Sequence, residues 1–142
     1  MRLPVTRIDD ALPLPTYATD GAAAFDLAAR ETTAIAPGQV ALVPANIVVA
    51  IPEGHVLLIS SRSSTGRKRG LHVPLGVIDR DYCGPEDEVR IQAWNLTDTP
   101  VTVERGERIA QALLMPVARA ELVEMATAAG AVSRGGFGTT GA

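Results

Sequence analysis

Six short runs of β-branched and aliphatic residues, at 40–43, 47–51, 55–59, 88–94, 101–104 and 111–115, are bounded by turn-forming segments. The separators are Pro37-Gly38, Pro52-Glu53-Gly54, Asp98-Thr99-Pro100 and Arg105-Gly106-Glu107. Runs cut this short and spaced this closely suit antiparallel pairing rather than a parallel sheet with helical crossovers. The pattern predicts an all-β chain: a sandwich, jelly roll or closed barrel. Within 89–94, Arg90, Gln92 and Trp94 alternate with Val89, Ile91 and Ala93, the period of a strand with one wetter face.

One helix is expected in the body, a turn or two from Thr65 to Arg69, with Gly70 placed to supply its C-terminal cap. Residues 121–131 are expected to form a last strand running into a linker. The tail, Ser133-Arg134-Gly135-Gly136-Phe137-Gly138-Thr139-Thr140-Gly141-Ala142, is too glycine-rich to pack as core and is expected to be mobile until a ligand orders it. The expected division is thus a β domain over 1–132 and a mobile arm over 133–142.

With 142 residues the chain is of single-domain size, and 46% hydrophobic against 20% charged residues is the composition of a folded protein. A net charge of −3 argues against general affinity for nucleic acid or anionic membrane. Cys83 is the lone cysteine, and with only His55 and His72 beside it no zinc-type ligand set can be assembled. No signal-like or membrane-spanning apolar stretch occurs, so a soluble, cytoplasmic protein is expected. Any phosphate binding must therefore be local. Of the 13 cations all but Lys68 are Arg, and Arg62, Arg67, Lys68 and Arg69 crowd into one short segment.

Ser61-Arg62-Ser63-Ser64 enters the expected helix. Backbone N–H groups at a helix start, Ser hydroxyls and a planar Arg fork make a chemically sensible polyphosphate site. The same residues also fit a Ser cap beside a solvated basic loop. In Gly76-Val77-Ile78-Asp79-Arg80-Asp81-Tyr82, two carboxylates two apart on an extended segment share a side, where one can orient or deprotonate water, and Tyr82 offers a flat face to a base or sugar. A turn with Asp79 and Asp81 bonded to nearby backbone is the alternative. Asp26 is a charge inside an apolar run, and Gln111 is an amide inside an apolar strand that needs partners if buried. His55, His72 and Trp94 read as packing or surface residues, and Cys83 has no His-paired nucleophile pattern around it.

In order along the chain, Ala22-Ala23-Ala24-Phe25-Asp26-Leu27, Ser61-Arg62-Ser63-Ser64, Gly76-Val77-Ile78-Asp79-Arg80-Asp81-Tyr82, Gly106-Glu107-Arg108-Ile109-Ala110-Gln111 and Arg134-Gly135-Gly136-Phe137-Gly138-Thr139-Thr140-Gly141 resemble the five sequence blocks of the trimeric dUTPase family. The resemblance implies a β jelly roll assembled as a homotrimer with shared active sites, hydrolysing dUTP to dUMP and pyrophosphate with Mg²⁺. It implies Asp79 as the catalytic carboxylate that holds the attacking water, and Tyr82 packed on the deoxyribose. It also implies that uracil is read largely by the backbone of a hairpin spanning about Leu71 to Tyr82, including Gly76, Val77 and Ile78. Arg62, Ser63, Ser64 and Gln111 are implied at the phosphates, Arg90 near the ligand, and Asp26 near the metal through water. In the arm, Phe137 is implied to stack on uracil while Arg134 and Thr139 reach the phosphates. The chain departs from the family pattern at Ala24, where Gly is usual, at Pro85-Glu86-Asp87, and in placing Arg134 directly before Gly135. Two other readings are distinguishable by experiment: a dCTP deaminase, which releases ammonia, and a nucleotide-binding trimer without turnover.

Overall fold

Pairing of the expected strands is antiparallel throughout in the computed structural model, which describes residues 1–136. The elements run β1 (Val5–Arg7), β2 (Phe25–Ala28), β3 (Thr33–Ile35), β4 (Val40–Pro44), β5 (Ile47–Val49), β6 (His55–Ser61), α1 (Thr65–Arg69), β7 (Leu71–His72), β8 (Gly76–Ile78), β9 (Arg90–Asn95), β10 (Val101–Val103) and β11 (Arg108–Pro116). The larger sheets have the orders β2-β11-β6-β8 and β4-β9-β7, and β1-β5 and β3-β10 form two smaller pairs. Leu27, Leu57 and Ile109 of the first sheet share one buried cluster with Val43, Ile91 and Leu71 of the second, so the core lies between them. The expected alternation in β9 is present: Ile91, Ala93 and Asn95 are buried while Arg90, Gln92 and Trp94 face outward. Asn95 is the polar member of that core, and its amide donates to Ile35 O and Thr99 O at 2.9 and 2.8 Å, which offsets its desolvation.

Helix α1 is too short to be stable alone and is held by its contacts. Thr65 is buried, with Oγ1 donating to Ile109 O at 2.8 Å. Gly70 ends the helix with φ 62°, its N–H donating to Gly66 O, a left-handed cap that glycine adopts without Cβ strain. Arg67, Lys68 and Arg69 stand in the last turn, the end of the helix that favours cations.

Two expectations are corrected. Residues 121–131 form no strand: β11 ends at Pro116, and the chain beyond it is exposed, Leu122 at 95%. A strand needs a neighbour for its N–H and C=O groups, and no sheet among the described residues takes the segment. Nor is the stretch from Leu71 to Tyr82 a two-stranded hairpin, because β7 pairs with β9 and β8 with β6, in different sheets. None of the described helices is long and apolar enough to cross a membrane.

Candidate functional site

The chemistry at the head of β11 follows from one irregularity. Gln111 lies opposite Asp26, Ala110 opposite Leu27 and Arg108 opposite Ala28, so Ile109 is an extra residue with no partner in β2. Side chains three apart on a regular strand face opposite ways; a bulge returns them to one face. Arg108 and Gln111 therefore share the face of Asp26, while Ile109 and Ala110 are both buried.

Carbonyls at the bulge are taken up by the segment before α1 and by its first residue. Arg62 Nη1 donates to Arg108 O at 3.0 Å, and Thr65 Oγ1 to Ile109 O. Arg62 Nε pairs with Asp26 Oδ1 at 2.7 Å, and Arg108 Nη1 lies 3.2 Å from Asp26 Oδ2. One largely buried carboxylate is thus clamped between two guanidiniums. Gln111 Nε2 donates to Ser61 O at 3.0 Å, and its second N–H is available for a ligand. Ser63 is exposed and Ser64 makes no side-chain capping bond. Arg62, Ser63, Ser64 and Gln111 therefore gather N–H and O–H donors at one end of the sheet, as an anionic ligand requires.

Asp79 is placed elsewhere. β8 is the outer strand of its sheet, with Ile78 opposite Leu57, and the exposed Asp79 follows directly. Gly76, Val77 and Ile78 lie on this edge, where backbone donors and acceptors without a strand partner can read a base. A turn carries the chain on, with Tyr82 N–H donating to Asp79 O at 3.2 Å, and the half-exposed Tyr82 ring is fixed by its hydroxyl, which donates to Glu88 O at 3.1 Å. Arg90 points outward from β9 opposite Pro44. Arg134 is exposed beyond β11, and Phe137 and Thr139 lie outside the described residues.

Strand geometry gives the distance between the two groups. Asp26 and Ile78 are separated by the width of three strand spacings and by the step along β6 from Ser60 to Leu57, roughly 17 Å in all. Within one chain, Asp79 does not reach the donors around Arg62.

Beneath Tyr82 is a buried ion pair. Glu88 is 5% exposed, its carboxylate takes the Arg30 fork at 2.8 and 2.9 Å, and Oε1 also accepts Asn46 N–H at 2.8 Å. Burial pushes the Glu88 carboxyl up, but the Arg30 and Asn46 hydrogen bonds outweigh it and hold the group below its ordinary value. Arg108, Glu88 and Arg30 were not singled out by residue chemistry in the sequence; Arg108 stood there only inside the Gly106–Gln111 block.

Fold and site together define a β jelly-roll protein that gathers N–H and O–H donors at one sheet end and carries a carboxylate and an aromatic ring in the turn that follows its edge strand. The dUTPase family model matches residues 10–141. The deoxyuridine 5'-triphosphate nucleotidohydrolase of Alcanivorax borkumensis is 39% identical over 142 residues, covering 96% of this chain and 93% of the relative. Among solved structures, a dUTPase from Streptococcus mutans superposes with TM-score 0.76 at 35% identity, over 82% of this chain and 98% of that one. The G164S mutant of the Staphylococcus bacteriophage 80alpha dUTPase with dUpNHpp gives TM-score 0.87 at 26% identity, over 99% of both chains. The chain belongs to the dUTPase family.

Proposed function

We propose that this chain is a dUTP diphosphatase, hydrolysing dUTP to dUMP and pyrophosphate at sites that copies of the chain build together as a homotrimer. The observation that supports the shared site is the separation of Asp26, which Arg62 clasps opposite Gln111, from Ile78, the residue before Asp79: roughly 17 Å by strand spacing, far more than the ~3 Å over which reacting groups must meet. Asp79 of one copy then faces the donor end of another. Outward-facing Val40 and Leu42, 55% and 54% exposed on the β4-β9-β7 sheet, add apolar surface that association would cover.

In this reading Gly76, Val77 and Ile78 present backbone groups to uracil, and Tyr82 lies against the deoxyribose, where a 2′-hydroxyl does not fit. Arg62, Ser63, Ser64 and Gln111 hold the phosphate oxygens, with Arg90 nearby. Asp79 orients a water in line with the bridging oxygen and takes its proton; the water oxygen bonds to the α-phosphorus as the bond to pyrophosphate breaks. The body over 1–132 carries these groups, and the arm over 133–142 closes with Phe137 on the base and Arg134 and Thr139 on the phosphates, excluding water.

Residues present fit Mg²⁺ held indirectly. No group of three His, Cys, Asp or Glu residues able to hold a metal occurs among the described residues. Asp26 Oδ2, ion-paired with Arg108 Nη1 at 3.2 Å but accepting no hydrogen bond, lines a cavity of about 150 Å³ together with Arg108. Mg²⁺ keeps several waters and leans on substrate phosphates, so one carboxylate acting through water suffices. When bound, it would neutralise phosphate charge.

The test is product analysis with dUTP, dCTP, dTTP and UTP in parallel, scoring pyrophosphate and ammonia separately. Pyrophosphate from dUTP alone is expected; ammonia from dCTP would mean a deaminase, and binding without turnover a sensor. Asp79→Asn is expected to bind dUTP yet turn over at least about 10²-fold more slowly.

A further inference from the structure

Tyr82 can discriminate between sugars only if its ring is held, and the hold comes from downstream in its own chain. Gly84 N–H donates to Asp87 Oδ2 at 2.7 Å and Asp87 N–H to Gly84 O at 3.1 Å, closing a turn around Pro85 and Glu86. That turn folds the Glu88 carbonyl back onto the Tyr82 hydroxyl. Glu88 cannot follow the ring if it drifts: its carboxylate is locked by Arg30 and Asn46, and the next residue donates through Val89 N–H to Ile47 O at 2.8 Å.

We infer that the turn over residues 84–87 is a specificity-setting element, in which Asp87, touching no substrate, is a positioning residue that fixes the Tyr82 ring and so governs the preference for deoxyribonucleotide over ribonucleotide. The inference rests on the reading above that Tyr82 meets the sugar. The Gly84 N–H···Asp87 hydrogen bond sets the closure, the Glu88 carbonyl transmits it, and the Arg30–Glu88 pair anchors the carbonyl in the core.

The experiment compares kcat/KM for dUTP and UTP in the full-length protein and in D87A, D87N and Y82A, with hydrogen exchange at the Gly84 amide in the same samples. D87A is expected to speed that exchange and to lower the dUTP-to-UTP ratio roughly fivefold, the scale of one lost hydrogen bond. D87N, whose amide oxygen still accepts from Gly84 N–H, is expected to keep the parent ratio. Faster exchange in D87A with an unchanged ratio, while Y82A relaxes selectivity, overturns the inference and leaves the sugar reading intact. A ratio unchanged in Y82A as well overturns both. D87N as permissive as D87A also overturns the inference, because charge rather than turn closure would then be the cause.

Discussion

Glu88 joins the stability of the chain to the geometry beside its reactive edge. Its folded carboxyl titrates below the ordinary value of 4.5, so the unfolded chain binds a proton there more readily than the folded one. The stabilisation is therefore fully present above the ordinary value and is lost as pH falls through the lowered one. Glu88→Gln is expected to flatten the acid limb of a stability–pH profile and, by weakening the hydrogen bonds to the Arg30 fork while that guanidinium keeps its ion pair with Glu31, to cost about 2 kcal/mol at neutral pH. Urea titrations at pH 7 and pH 4 check both parts. Residues were legible in the sequence where their chemistry was out of place for their surroundings, as with Asp26 inside an apolar run and Gln111 inside an apolar strand. Arg30 and Glu88 were not, because their significance lies in a pairing across 58 residues that no local pattern records.

At the scale of elements, the six apolar runs all lie on strands, with ends shifted by up to three residues. β1 and β3, three residues each, and the two-residue β7 are too short to carry a period and gave no signal. Residues 121–131 misled for the opposite reason: their composition suits a strand, but a strand exists only where an edge receives it. Helix α1 was announced by its Gly70 stop, and that stop is testable. Gly70→Ala places a methyl in a left-handed conformation and against Thr97 Cγ2. It is expected to destabilise by about 2 kcal/mol, read as a lower urea midpoint at unchanged slope, and to weaken dUTP turnover by loosening the segment that carries Ser63 and Ser64.

For the whole molecule, the proposed shared site makes a prediction that no single-chain mechanism shares. Asp79→Asn and Arg62→Ala are each expected to be nearly inactive. Unfolded together and refolded as mixed trimers, they are expected to recover about a quarter of the parent activity, since that share of sites draws an intact Asp79 and an intact Arg62 from different copies. Recovery no greater than the sum of the separate variants would place both residues of one site in one chain. Assembly left no mark in the residue pattern and was implied by the family resemblance alone; the strand order adds the distance between the Asp26 end of the sheet and the edge that leads to Asp79.

Ile109 has a consequence of another kind. The bulge it makes in β11 is an off-by-one in the ladder, and Arg108 and Gln111 share a face only because of it. Deleting that single residue would make the pairing more regular and would turn Arg108 away from Asp26. β11 is therefore a stretch of this chain that tolerates exchanged letters better than a changed count, since losing one residue would keep the ladder and part the two side chains that now share a face.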